Sequence, residues 1–258
     1  MRTTFASGLL AAVVTAQTGE PNPPTWDSDR VLVFDPSDTD CQERVDAIWT
    51  EMGEGGDSAS TCDHGQWSDS RYALLFKPGN YTCDVNIGYY TQLLGLGATP
   101  SDTIISSLSS PDNCNIALNN FWRGVENVEL GHEQTNVQWH VSQAAPMRRT
   151  RIVGDLTLGE GWSSGGYLAN SEVTGTIYAG SQQQWFTRNA SMGNFVKGGW
   201  NFVFLGCEGA PQTNCGQGGT GIPATSVDET PIIAEKPYIT IGDDGKYTLH
   251  RPTYKTAA

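Results

Sequence analysis

Four acids and a set of flat or amide-bearing side chains are the residues of this sequence that could do chemistry together. Glu126, Glu129, Asp155 and Glu172 fall on successive segments of a repeating pattern. Cleaving a glycosidic bond takes two carboxyl groups roughly 5–10 Å apart, one protonated and one ionised. Glu126, Asp155 and Glu172 are therefore the expected catalytic residues. Tyr167 and Trp185 offer ring faces that suit the C–H faces of sugars. Arg148, Gln143, Gln182 and Gln183 offer hydrogen bonds to hydroxyls, and these side chains are expected to bind substrate. Elimination chemistry would instead use calcium-binding carboxylates beside a basic residue such as Arg148 or Arg149. A Ser-His-Asp hydrolase finds little support, because His64, His132, His140 and His250 lie near no Gly-x-Ser-x-Gly turn. No cofactor is expected, and no metal, since there is no Cys-x-x-Cys and no histidine at ligand spacing.

The elements that must position these residues are short strands. From about residue 118, strand-like runs alternate with Gly, Ser and Asn corners. PMRRT (146–150), YLANS (167–171), WFTRN (185–189) and FVFLG (202–206) align at spacings of 21, 18 and 17 residues, with GVENVEL (124–130) one step earlier. A variable period near 20 residues suits coils of about three strands stacked into a parallel solenoid. In this alignment Met147, Leu168, Phe186 and Val203 form an apolar core column. Side chains alternate along a strand, so Pro146, Tyr167, Trp185 and Phe202 are expected to face outward as an aromatic strip, or, with the phase inverted, to pack as an ordinary core stack. Thr150, Ser171 and Asn189 are expected to stack as a polar ladder at one corner. Upstream, Val45, Ile48, Trp49 and Met52 recur at helical spacing after Asp38 and Asp40, which predicts a capped helix over about 41–52. A solenoid end exposes strand edges and an open core, and this helix is expected to cover it.

The chain has 258 residues with 28 acids against 15 bases, a formal charge of −13. That balance argues against a phosphate-binding surface, and Arg148, Arg149 and Arg151 are the sole basic cluster. Residues 1–16 read as a secretory signal: one positive charge, an apolar run of eleven, then small or compact residues at Val14 and Ala16. That run is too short to span a bilayer. Residues 17–30 are a Pro-rich lead-in and 31–258 a single β-domain. In an oxidising compartment the six cysteines read as up to three disulfides. Fifteen pairings are possible; pairing sequence neighbours joins Cys41 to Cys62, Cys83 to Cys114 and Cys207 to Cys215. Asn80 and Asn189 stand in glycosylation sequons. The expected protein is a secreted monomer whose partner is a polysaccharide, not a nucleic acid or a membrane.

RYALLFKPGNYTCDVNIGYYTQLLGLG (71–97) resembles the opening coils of the pectate-lyase-like right-handed β-helix superfamily. NNFWRGVENVEL (119–130), VSQAAPMRRT (141–150), WSSGGYLANSEV (162–173), SQQQWFTRN (181–189) and EKPYITI (235–241) resemble a group of secreted bacterial and fungal proteins, often loosely labelled coagulation factor 5/8-type or adenylyl cyclase. That group is similar to the family-55 glycoside hydrolases, which are exo-β-1,3-glucanases. The resemblance covers about residues 31–255. It implies an all-β fold, a right-handed parallel β-helix with an N-terminal capping helix, and activity on β-glucan-type polysaccharide. It also implies a second β-helical half that carries the general acid, so no catalytic residue is carried over. A truncated relative that binds polysaccharide or cell wall without cleaving it is the alternative. The cyclase label has no support, since the sequence has no P-loop and no metal-binding Asp pair.

Overall fold

The computed structural model describes residues 21–27, 29–53, 65–112, 116–214 and 221–256. Its body is a parallel β-solenoid with three sheets that run the length of the stack. The first sheet comprises Val31–Phe34, Tyr72–Phe76, Thr91–Gly95, the start of Gly124–Leu130, the start of Pro146–Ile152, Gly166–Ala169, Gln184–Arg188, Asn201–Leu205 and Ala224–Val227, each paired in parallel with the next. The ends of Gly124–Leu130 and Pro146–Ile152 turn into a second sheet with the starts of Gly79–Asn86, Thr103–Ser110, Glu172–Tyr178 and Ser191–Val196. The far halves of the longer strands form the third sheet with Asn136–Trp139 and Asp155–Thr157.

One residue turns the corner between the first two sheets in five successive coils. Asn127, Arg149, Asn170, Asn189 and Gly206 all sit there with φ between 48° and 60°. L-residues avoid this left-handed region, and Asn and Gly tolerate it best. The Asn127 amide donates to Gly95 O at 2.9 Å and Gly97 O at 2.7 Å, and its Oδ1 accepts from Arg149. Asn189 donates to Asn170 and accepts from Thr230. The expected ladder is therefore two ladders. Thr150 bonds Ser171 at 3.0 Å, while Asn189 belongs with the asparagines one position earlier.

That offset enters at one junction. Tyr167 pairs with Phe186 and Leu168 with Thr187, so the segment after Ala169 stands one residue away from the alignment drawn from sequence. Met147 and Leu168 are core as expected, but Phe186 and Val203 face outward and are half-buried. Trp185, expected outside, is 3% exposed inside the coil with Phe202. A slip of one residue reverses every side chain of a strand. The aromatic pair on the outer face is Tyr167 with Phe186, stacked at 5.4 Å and 21°.

The helix Cys41–Met52 buries Cys41, Val45, Ile48 and Met52 against the open end of the stack, as expected of a cap. Asp40 occupies the N-cap position without a side-chain capping bond; Asp38 instead accepts from the Asp35 amide and pairs with Arg44. The disulfide joins Cys41 to Cys83, not to Cys62. The chain returns to the same sheet only one coil later, as Trp185 does at Phe202, so the cysteine beneath the helix is distant in sequence. Cys207 is a free thiol, against the expected bridge to Cys215. Cys62, Cys114, Cys215 and residues 1–16 lie outside the described residues. Among the described residues no helix is long and apolar enough to cross a membrane.

Candidate functional site

After Val227 the chain leaves the stack and runs back along the outside of the first sheet. Ile232–Ile233 pairs with Lys255–Thr256, and Tyr238–Ile241 with Tyr247–His250. This strap is fixed by charges. The Glu235 carboxylate accepts from Arg148 at 2.6 Å and also from Arg188. Lys236 pairs with Glu126, the Arg149 guanidinium lies 3.7 Å from the Tyr238 ring centroid, and the Ile241 amide donates to Leu96 O. At its far end Tyr247 meets the lead-in, where Asn22 bonds its backbone and Trp26 packs edge-on. Arg148 and Arg188 project outward because the αL corner that follows each of them fixes the pleat.

Between strap and corner lies a groove of about 700 Å³, lined by Arg149, Asn170, Asn189, Glu208, Glu235, Lys236 and Tyr238 among others. Its walls carry amides, two carboxylates and cations around an aromatic ring. Such a lining can hydrogen-bond a polyhydroxylated chain, and Tyr167 and Phe186 lie on the same outer sheet face. Burial pushes the Tyr167 phenol above its ordinary value, against the lowering pull of Arg188 and Arg148.

The three acids expected to be catalytic are not brought together. Glu126 stands on the first sheet, Glu172 on the second and Asp155 on the third. Glu126 is 4% exposed; one oxygen is held by Lys236 and the other, Oε1, is buried without a partner. Glu172 pairs with Arg151 at 3.0 Å on the surface. Asp155 accepts from the Thr176 amide at 2.7 Å. Glu129, the fourth acid, is buried; burial alone would raise its carboxyl, but bonds from Ser101, His132 and Arg151 outweigh this and hold it below the ordinary range.

Of the expected sugar contacts, Arg148 reaches the groove and Tyr167 the outer face. Gln143 is exposed, and Gln183 is half-buried. Gln182 is fully buried; its amide donates to Val141 O and Leu158 O and its Oε1 accepts from the Gly165 amide, so it braces a corner. Trp185 donates to Thr187 inside the core. Sequence reasoning missed Arg188, Glu208, Glu235, Lys236 and Tyr238. EKPYITI was visible as a motif beyond the repeat, but only the return path of the strap shows what its charges meet.

No protein-family model matches the chain. Over 237 residues it is 40% identical to an exo-β-1,3-glucanase of Streptomyces sp. strain SirexAA-E, an alignment that covers 88% of this chain and 36% of that protein. The fold superposes on sacteLam55A of the same organism with a TM-score of 0.78 and 38% identity, over 89% of this chain and 40% of that one. A glucose complex of a variant of sacteLam55A gives 0.79. The chain thus spans well under half the length of these relatives. The similarity to family-55 β-helices holds in both sequence and fold.

Proposed function

We propose that the chain forms the sugar-binding β-helix of a secreted glycoside hydrolase acting on β-glucan-type polysaccharide. The observation that carries this is the 40% identity to an exo-β-1,3-glucanase across 88% of the chain. The groove under the strap supports it with a polar and aromatic lining, and net charge −13 favours a neutral polymer. In this reading Glu208 and Glu235 are the carboxylates to test, because they line one groove, together with Glu126 beneath Lys236. Asp155 and Glu172 stand on other sheets and serve as controls. The matching experiment is glucose release from soluble β-1,3-glucan by the purified chain. Release should fall about 100-fold in Glu208→Gln or Glu126→Gln and persist in Glu172→Gln. Absence of release by the parent chain overturns the hydrolase reading for this chain. A second reading, a non-catalytic binder, is favoured by the cations that clamp Glu126 and Glu235, since a general acid has to be held protonated. It predicts retention on insoluble β-1,3-glucan without release.

Secretion and the single 31–258 domain belong to the same proposal; the Cys41–Cys83 disulfide supports an oxidising compartment. For glycosylation, exposed Asn80 suits a glycan, whereas both ends of the Asn189 amide are already bonded.

A further inference from the structure

At the other edge of the first sheet, where the chain enters the opening strands, three aromatic rings gather on the surface. Tyr90 and Trp122 stack in parallel at 5.3 Å and 5°. Trp67 stands at 5.9 Å and 61° to Trp122 and is 79% exposed. Arg71 lies 3.5 Å from the Tyr90 ring centroid, and the Tyr90 hydroxyl donates to Gln66 O, tying down the segment that carries Trp67. Beside them lies a depression of about 570 Å³ lined by Arg30, Arg71, Ala73, Tyr90, Gln92 and Trp122. It shares no lining residue with the groove under the strap.

Core packing accounts for part of this cluster: Tyr90 and Trp122 are half-buried against the core, whereas Trp67 is not. Trp67 buries little of its indole. Tyr90 and Trp122 hold φ of 50° and 53°, as Ala144 does at 56° in the next coil, so the left-handed turn is the coil's own corner and carries both rings on it. An exposed indole beside a half-buried stacked pair, next to an open depression, forms a surface for a ligand with flat apolar faces. Pyranose rings have such faces, and their hydroxyls suit the Gln92 amide and the Arg71 guanidinium. A polyanion fits less well. Arg30 already has Glu51 at 3.9 Å and the Tyr72 hydroxyl at 2.7 Å, and the molecule carries net charge −13.

We propose that Trp67, Tyr90 and Trp122 form a second sugar-binding site, which anchors a neutral glucan chain apart from the groove. The choice of β-1,3-glucan as its probe rests on the function proposed above. The test measures binding of laminarin to the full chain by isothermal titration calorimetry, beside glucose release from laminaritriose. Trp67→Ala should weaken laminarin binding at least about tenfold, the loss of one stacking contact, with laminaritriose turnover and melting temperature unchanged. Binding by Trp67→Ala within about twofold of the parent, or no saturable binding by the parent, overturns the site whatever the hydrolysis shows. Equal or tighter binding of polygalacturonate overturns the neutral ligand. Trp67-dependent binding without any glucose release supports the site and removes the hydrolase reading instead.

Discussion

Trp185 and Trp67 place the same side chain in opposite surroundings, and their truncation should separate cleanly. Trp185→Ala removes a core indole and should cost about 3–5 kcal/mol, near the 2–5 kcal/mol expected of Leu168→Ala, by urea unfolding. Trp67→Ala should stay within about 0.5 kcal/mol. Gly166 belongs with Trp185, since a β-carbon there would lie 1.9 Å from its ring. At Glu129 the bonded carboxylate is pushed below its ordinary value of 4.5. Its stabilisation is therefore present above that pH and lost as pH falls through the lower folded value. Glu129→Gln should be less stable than the parent by about 1–2 kcal/mol at pH 7, and melts repeated down to pH 2 should show the two converging. The sequence made Trp185 legible as an aromatic at a repeat position but not its direction. Aligning YLANS on WFTRN matched aromatic to aromatic, whereas the strands pair Asn170 with Asn189. The corner asparagine, held in place by its backbone angle, marks the phase better than side-chain resemblance.

At the scale of elements, the repeat, the three-strand coil and the capping helix were all legible, because Gly and Asn corners and apolar spacing report local backbone demands. Disulfide pairing was not, since Cys83 comes beneath Cys41 only after the coil closes. That bridge encloses a separation of 42 residues, for which chain entropy gives roughly 4 kcal/mol. Cys41→Ser together with Cys83→Ser should lower stability by about 2–5 kcal/mol, and reductant should lower the melting temperature of the parent but not of the double variant. The corner residue has its own signature. Asn127→Ala loses three side-chain hydrogen bonds, two donated and one accepted from Arg149, and keeps an unfavourable φ; Asn127→Gly loses the bonds alone. The glycine variant should therefore be the more stable of the two by about 1 kcal/mol in chemical unfolding.

For the whole molecule, the strap is the feature that no local pattern announced. Glu235 neutralises Arg148 and Arg188, whose side chains are only 13% and 12% exposed. Glu235→Gln leaves two guanidiniums facing each other without their shared acid. Allowing for partial exposure, this should weaken strap docking by about 1–3 kcal/mol. Hydrogen exchange should then quicken by roughly tenfold or more across 232–241, with the first-sheet strands still protected; uniform quickening of both would show that the strap is not a separate unit.

A stack whose coils touch only their neighbours behaves as a one-dimensional array, free to fray from either end. Here the strap binds late coils through Arg188, middle coils through Arg148 and Glu126, an early coil through Leu96, and the lead-in through Tyr247. The array is thereby closed into a circuit. Losing a terminal coil also strains contacts several coils away, so partly unzipped states lose the advantage that an open stack would give them. Unfolding should approach all-or-none behaviour, with calorimetric and van't Hoff enthalpies converging, and a chain with its strap released should return to stepwise melting.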